Sequence, residues 1–283
     1  MDAGGGSPLL PETEKQAAAL LDRLNIAHPN DEVKVFIAMR YWHPFTEDVA
    51  KDVMEWDADE AILLPLYPQF STTTTGSSAS AWEKSYTGKT KTICCYPYED
   101  KLIDAHVEQI MKAHEKAGSP QSPTLLMSAH GLPESIVEDG DPYQWQCEQM
   151  GAKISEKLPD DWEIIGCYQS RVGPLKWIGP STGDEIKVAA EAGKDILIAP
   201  IAFVSEHIET LVELGEEYRL VAEEHGAKSY TPVAALGTMN PFIELLADQV
   251  GEALASEQTL RSCQGGRICP SGFSDCPHKQ AAE

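Results

Sequence analysis

No apolar run in this 283-residue chain approaches the ~20 residues that a membrane-spanning helix needs. The opening MDAGGGSPLL lacks the basic-then-apolar pattern of a secretory leader. Positive charge is scarce as well: 22 Lys and Arg stand against 45 Asp and Glu, for a net charge of −23. Such a surface repels phosphates, which excludes nucleic acid as a partner and weakens any case for an anionic lipid surface, leaving peripheral membrane contact open. No segment recurs at a fixed period, so a repeat array is excluded. These absences predict a cytoplasmic protein, and there the seven cysteines read as free thiols or metal ligands rather than disulfides.

What is present is an ordinary globular composition, 42% apolar and 24% charged. Short apolar runs (EVKVFIAM, AILLPLY, KTICCY, TLLMSAH, EIIGCYQS, DILIAPIAF) alternate with stretches of helical period such as PETEKQAAALLDRLN, TEDVAKDVMEW, EDKLIDAHVEQIMKAHEKAG, DPYQWQCEQMGAKISEKL, EHIETLVELGEEYRLVAEEHG and NPFIELLADQVGEALA. The alternation predicts an α/β protein with parallel sheets covered by helices on both faces. KAGSPQSP, residues 116–123, is the best boundary. The chain thus divides into 1–120, 121–240, a C-terminal helix at 241–258 and a Cys-rich tail at 259–283 that reads as lying outside the sheets. The first layer begins at its helix, so its first strand reads as missing, which would leave one flank of that sheet open.

Ligands of open α/β sheets bind where strands end at their carboxyl side, and four polar clusters fall there. RYWHP brings Arg40, Tyr41 and His43 after the first run. FSTTTTGSS offers hydroxyls and backbone N–H groups suited to an anion, or simply to helix capping, and without a Lys after its Gly it is no nucleotide-triphosphate loop. TLLMSAHG places His130 at a strand end, where a packed histidine, a metal ligand and a proton acceptor all fit. APIAFVSEHIETLVEL carries Glu206, His207, Glu209 and Glu213. The three carboxylates, at i, i+3 and i+7, predict one helical face on which they repel unless solvated, cation-bound or partly protonated. YQSRVGPLKWIGPST sets Trp177 between two Gly-Pro pairs, as the wall of a flat ligand site or a plug under a loop.

Taken in order, GGGSPL, RYWHPFTE, YPQFSTTTTGSS, SAHGLPES, GDPY, YQSRVGPLKWIGPST and FVSEHIETL resemble the ferrochelatase family over residues 4 to about 215. The resemblance implies two Rossmann-like domains with the active site in the cleft between them, and insertion of Fe²⁺ into protoporphyrin IX to form protohaem. It implies that His130 is the active-site histidine and Glu209 its acidic partner, both at the site of the Fe²⁺ substrate. Glu206 and Glu213 continue the acidic path, and Ser7, Arg40, Tyr41, Tyr67 and Trp177 belong to the porphyrin pocket. The chemistry suits these types: a neutral imidazole accepts protons near neutral pH or ligates borderline Fe²⁺, and carboxylates carry protons or metal onward.

Two features depart from the family. Its opening strand, and the lip that follows over the pocket, have no counterpart here, which keeps a non-catalytic porphyrin- or haem-binding remnant as an alternative beside a cobalt or sirohydrochlorin chelatase. The tail CQGGRICPSGFSDCPHK resembles that of members with a [2Fe–2S] cluster, implying Cys263, Cys269 and Cys276 as ligands. The family's distant cysteine is Thr72 here, so a fourth ligand falls to Cys94, Cys95, Cys147, Cys167 or another group. Zinc on the three cysteines and His278 is the alternative.

Overall fold

The computed structural model describes residues 6–170 and 173–279. In chain order the first layer contains α1 (Leu9–Ala27), α2 (Thr46–Glu55), β1 (Ala61–Leu63), a π-helical turn (Thr72–Gly76) running into α3 (Ser77–Ser85), β2 (Thr90–Cys95) and α4 (Asp100–Lys116). The second contains β3 (Thr124–His130), α5 (Glu134–Glu138), α6 (Tyr143–Ser155), β4 (Glu163–Gln169), α7 (Thr182–Glu191), β5 (Asp195–Pro200), a π-helix (Glu209–Glu217) running into α8 (Tyr218–Glu224), and β6 (Ser229–Pro232). The chain then returns through α9 (Asn240–Ala255) to β7 (Leu260–Ser262).

Two sheets result, ordered β1-β2-β7 and β4-β3-β5-β6, and every ladder is parallel. The α/β expectation is met for a simple reason. Strands covered on both faces must be apolar on both, as in β3, where the six residues from Thr124 to Ala129 are all buried. His130 closes that strand and is only partly covered, so strand geometry delivers the imidazole to the sheet's carboxyl edge. One core joins the two layers: Leu20 and Leu24 of α1, Ile103 and Ile110 of α4 and Phe242 and Leu246 of α9 belong to the same apolar cluster as Ile93 of β2 and Leu125 of β3. Among the described residues no helix is long and apolar enough to cross a membrane.

The structure corrects the sequence reading in two places. EVKVFIAM forms no strand. Val33 and Val35 pack on the main core and Phe36 on a satellite cluster, but β1 has a ladder only with β2. Its apolar side chains are only partly buried, and the segment adds no ladder to the edge that β1 leaves open. The tail does not lie outside the sheets, for Leu260–Ser262 pairs with β2 in parallel, Thr92 opposite Leu260 and Cys95 opposite Ser262. Three residues, one of them Arg261, carry no readable period. The arginine is accommodated because its guanidinium bonds the carbonyl and carboxylate of Glu252. Helix α9, packed on α1 and α4, brings the chain back to that edge.

Candidate active site at the carboxyl edge of the second sheet

His130 Nδ1 lies 2.6 Å from the carbonyl oxygen of Gly131. A carbonyl only accepts, so the ring proton of the neutral imidazole sits on Nδ1 and the lone pair on Nε2 faces outward. Nε2 stands 3.7 Å from Glu209 Oε2, beyond hydrogen-bonding distance. Two electron-rich atoms thus face each other across a gap that a proton or a cation would close.

Glu209 opens the π-helix. Its i→i+5 bonding widens the turn, so residues four to five apart stack on one side, a geometry that recurs at functional sites. Glu209 and Glu213 therefore both reach Ser170, whose Oγ is 2.9 Å from Glu209 Oε2 and 2.8 Å from Glu213 Oε2. Glu213 also accepts from Ser170 N at 3.0 Å, Gln169 Nε2 at 3.1 Å and Tyr218 Oη at 3.0 Å. Burial, and then the Glu213 charge, raises the Tyr218 phenol pKa. Glu206 does not share this face. It precedes the helix, and its carboxylate accepts from Thr210 Oγ1 at 2.6 Å and Ala235 N at 2.8 Å. The i, i+3, i+7 spacing presupposes an α-helix running from residue 206, whereas the helical turns begin at Ile208 and take π pitch.

His207 approaches Glu209 from the other side, Nε2 to Oε1 at 3.8 Å, with its ring against Phe203 at 4.4 Å. Burial lowers its pKa against the pull of Glu209 and Glu206, and its buried Nδ1 has no hydrogen-bond partner in the structure. These groups open into a cleft of about 770 Å³ lined by His130, Ser170, Trp177, Glu209, Glu213 and Tyr218, among others. An isolated bridge between Pro133 and Trp177 fixes that part of the wall.

From the first layer, Tyr67 comes near Glu209. Burial raises the phenol pKa of Tyr67, and the neighbouring Tyr41 and Glu209 add to the effect, so Tyr67 lies within electrostatic reach of Glu209. The Arg40 guanidinium stacks over the Tyr41 ring at 4.8 Å, and Arg40 Nε donates to Ser77 Oγ at 2.9 Å. Ser7 is exposed, with its Oγ at the start of α1 accepting from Leu9 N. No contact joins Ser7 to these cleft residues among the described residues.

The hydroxyl run does bind an anion, and the anion is the protein's own. Asp141 is fully buried and takes Ser71 Oγ (2.9 Å), Thr72 N (2.7 Å) and Thr72 Oγ1 (2.7 Å) on one oxygen and Tyr143 N (2.9 Å) on the other. One carboxylate thereby locks the loop before α3 to the start of α6, across the two layers. Asp141→Ala would strand four donors, so chemical denaturation should show a loss of about 2–4 kcal/mol. A change under 1 kcal/mol would mean that water replaces the carboxylate without cost.

A group of buried thiols lies around Gln146 of α6. Cys263 N donates to Cys95 O, and Gln146 Nε2 reaches Cys269 Sγ at 3.1 Å and Cys95 Sγ at 3.6 Å. The Cys95 hydrogen bond, then His278, lowers the Cys94 pKa, and the Cys269 hydrogen bond lowers that of Cys276. The donors Cys95 and Cys269 are raised in turn. The three tail cysteines, Cys94, Cys95 and His278 are thus neighbours. Cys147 and Cys167 are elsewhere, perturbed after burial by Tyr143 and by Thr182 respectively. Among the described residues, no three His, Cys, Asp or Glu side chains are already arranged to hold a metal ion.

Sequence reading missed Ser170, Gln169 and Tyr218. Gln169 and Ser170 lie at the start of the YQSRVGPLKWIGPST stretch, where Trp177 stands out, and Tyr218 carries no motif; only the fold turns all three toward Glu213.

The parallel α/β architecture is shared with solved chelatases. SirB from Bacillus subtilis with Fe³⁺ superposes with a TM-score of 0.58 at 16% identity, covering 86% of this chain and 90% of that one. CbiX, described as the terminal enzyme of sirohaem biosynthesis in denitrifying bacteria, gives 0.59 at 16%, covering 88% and 94%. At that identity the likeness concerns the fold. The ferrochelatase family profile matches residues 1–254. Ferrochelatase of Hyphomonas neptunium is 65% identical over 280 residues, 99% of this chain and 78% of that protein. The Caulobacter vibrioides ferrochelatase is 54% identical over 281 residues, 99% and 81%. The chain belongs to the ferrochelatase family.

Proposed function

We infer that this chain is a metal chelatase that inserts Fe²⁺ into protoporphyrin IX, and that His130 and Glu209 work at the reacting centre. The observation that carries the residue assignment is the open 3.7 Å gap between His130 Nε2 and Glu209 Oε2. Metallation removes two pyrrole N–H protons as iron enters. His130 Nε2, held in its basic tautomer by Gly131 O, accepts a proton, and Glu209 and Glu213 take protons onward. Trp177, Tyr41, Tyr67 and Arg40 form the surround against which the macrocycle is held, and contacts remote from the ring nitrogens can be spent on bending it. Glu206 and Ser7 complete the assignment on family resemblance alone. Residues 121–240 form the second domain of this reading, with 241–279 returning to complete the first. A cytoplasmic location belongs to it as well, supported by seven unpaired cysteines.

The test is direct. Anaerobic Fe²⁺ and protoporphyrin IX are mixed with the purified chain while porphyrin fluorescence and the haem absorption band are followed. Turnover is expected, and binding without insertion would favour a non-catalytic porphyrin carrier instead.

The thiol group supports a resident metal. Five buried cysteines are soft donors, and the buried Nε2 of His278 has no hydrogen-bond partner. Cys263, Cys269 and Cys276 with Cys94 or Cys95 would hold a [2Fe–2S] cluster. A cluster there would cross-link the tail to β2 by iron–thiolate bonds. Zinc on the three tail cysteines and His278 is the second reading. Protein purified anaerobically should be coloured and contain about two irons per chain, and any of the three tail Cys→Ser changes should bleach it. Replacing Cys94 or Cys95 should bleach it at one position, while Cys147→Ser and Cys167→Ser should leave the colour. Colourless protein with one zinc, released by His278→Ala, would establish the second reading, and metal-free protein would remove both.

A further inference from the structure

We propose that Ser170 is the proton relay between the two carboxylates of the cleft, an assignment that rests on the iron-insertion reading of this site. The Ser170 hydroxyl has one proton and two carboxylate oxygens within reach, Glu209 Oε2 at 2.9 Å and Glu213 Oε2 at 2.8 Å. A hydroxyl donates one hydrogen bond and accepts the others. Whichever carboxylate receives its proton, the remaining contact is a hydrogen bond only when the other carboxyl is protonated and donates to Oγ. The hydroxyl thus stands between the two carboxylates and can turn its proton to either.

The two ends differ. Glu213 is ringed by donors, Ser170 N, Gln169 Nε2 and Tyr218 Oη. Glu209 instead faces His130 Nε2 at 3.7 Å and His207 Nε2 at 3.8 Å, the side on which pyrrole protons are released. In the step itself the Glu209 carboxyl gives its proton to Ser170 Oγ while the original Oγ–H proton passes to Glu213 Oε2. One O–H bond forms for each that breaks, and no electron changes hands. Glu209 is left as a carboxylate ready for the second pyrrole proton, and Glu213 as the neutral acid on a cleft wall shared with Glu217. Insertion releases two protons, so an acceptor beside the ring must be emptied between them.

The backbone is shaped for this. Ser170 has φ +60°, the left-handed region that non-glycine residues seldom occupy and that tends to mark functional sites. That conformation lets one residue aim both its N–H and its Oγ at Glu213. Ser128 Oγ, donating to Gln169 Oε1 at 2.7 Å, holds the preceding side chain in place.

Ser170→Gly removes only the hydroxyl, because glycine accepts this φ and keeps the backbone N–H on Glu213. Its kcat for Fe²⁺ insertion should fall roughly 30- to 100-fold, the size of a lost acid–base contribution, with porphyrin KM within about twofold. The solvent-deuterium effect on kcat should grow as proton transfer becomes limiting. Ser170→Asn, which also tolerates left-handed backbone, restores a donor but no relay and should remain as slow. A glycine variant within about threefold of the parent kcat, a change in KM alone, or recovery in Ser170→Asn would overturn the relay, the last by showing that the serine merely orients its neighbours. A parent chain that binds porphyrin but inserts no iron would instead overturn the functional reading beneath it.

Discussion

His130→Ala should lower the rate of iron insertion about 10³-fold, within the range expected when a positioned proton acceptor is lost, and leave the porphyrin dissociation constant within about tenfold. Among the described residues, the imidazole makes few contacts that would hold the protein together. Its Nδ1 bonds the carbonyl of the next residue, its ring meets Phe203 edge-on at 6.3 Å, and its side chain is 40% exposed to the cleft. Truncation therefore removes a base rather than a strut, and the thermal midpoint should barely move. Insertion measured anaerobically beside porphyrin-fluorescence binding separates the two effects. Near-normal turnover would return His130 to a packing role.

Glu209→Gln should cost about 10²-fold or more in kcat, equivalent to roughly 2.7 kcal/mol of barrier. The amide keeps the shape of the side chain and a hydrogen bond with Ser170 Oγ, but it cannot take up a proton at neutral pH. Glu223→Gln is the matched control. It lies further along the same helical stretch, in α8, and pairs with Arg219 at 2.5 Å on an exposed surface, where such pairs contribute little. It should change kcat by less than about twofold. Equal losses from both substitutions would mean that the acidic face acts through its summed field, and the specific role of Glu209 would fall.

Much of this site is legible in the order of residues. Apolar runs that end in polar residues mark the carboxyl edges of parallel strands, and TLLMSAH forms β3 with its histidine at the edge. Other features are not legible, because they depend on what lies beside a segment rather than on its own pattern. EVKVFIAM has strand chemistry but joins neither sheet, with Met39 in an isolated bridge to Phe45, whereas Leu260–Ser262 has no strand pattern yet joins β2. The spacing of the acidic trio implies α-helical pitch. The π-helix retains Glu209 and Glu213 on one side and leaves Glu206 to Thr210 and Ala235.

Sequence alone thus determined the α/β class, which rests on residue type and local period, and the family, which rests on the resemblance of its motifs taken in order. Only the tertiary structure decided which atoms meet. Ser170 joins two carboxylates from another segment, Asp141 takes two of the hydroxyls that looked free for a ligand, and Cys94 and Cys95 come to the tail cysteines. Those pairings join residues from 39 to more than 180 positions apart. Local propensity does not encode such contacts, for they follow from the order of strands in the two sheets and from the return of α9 to the first.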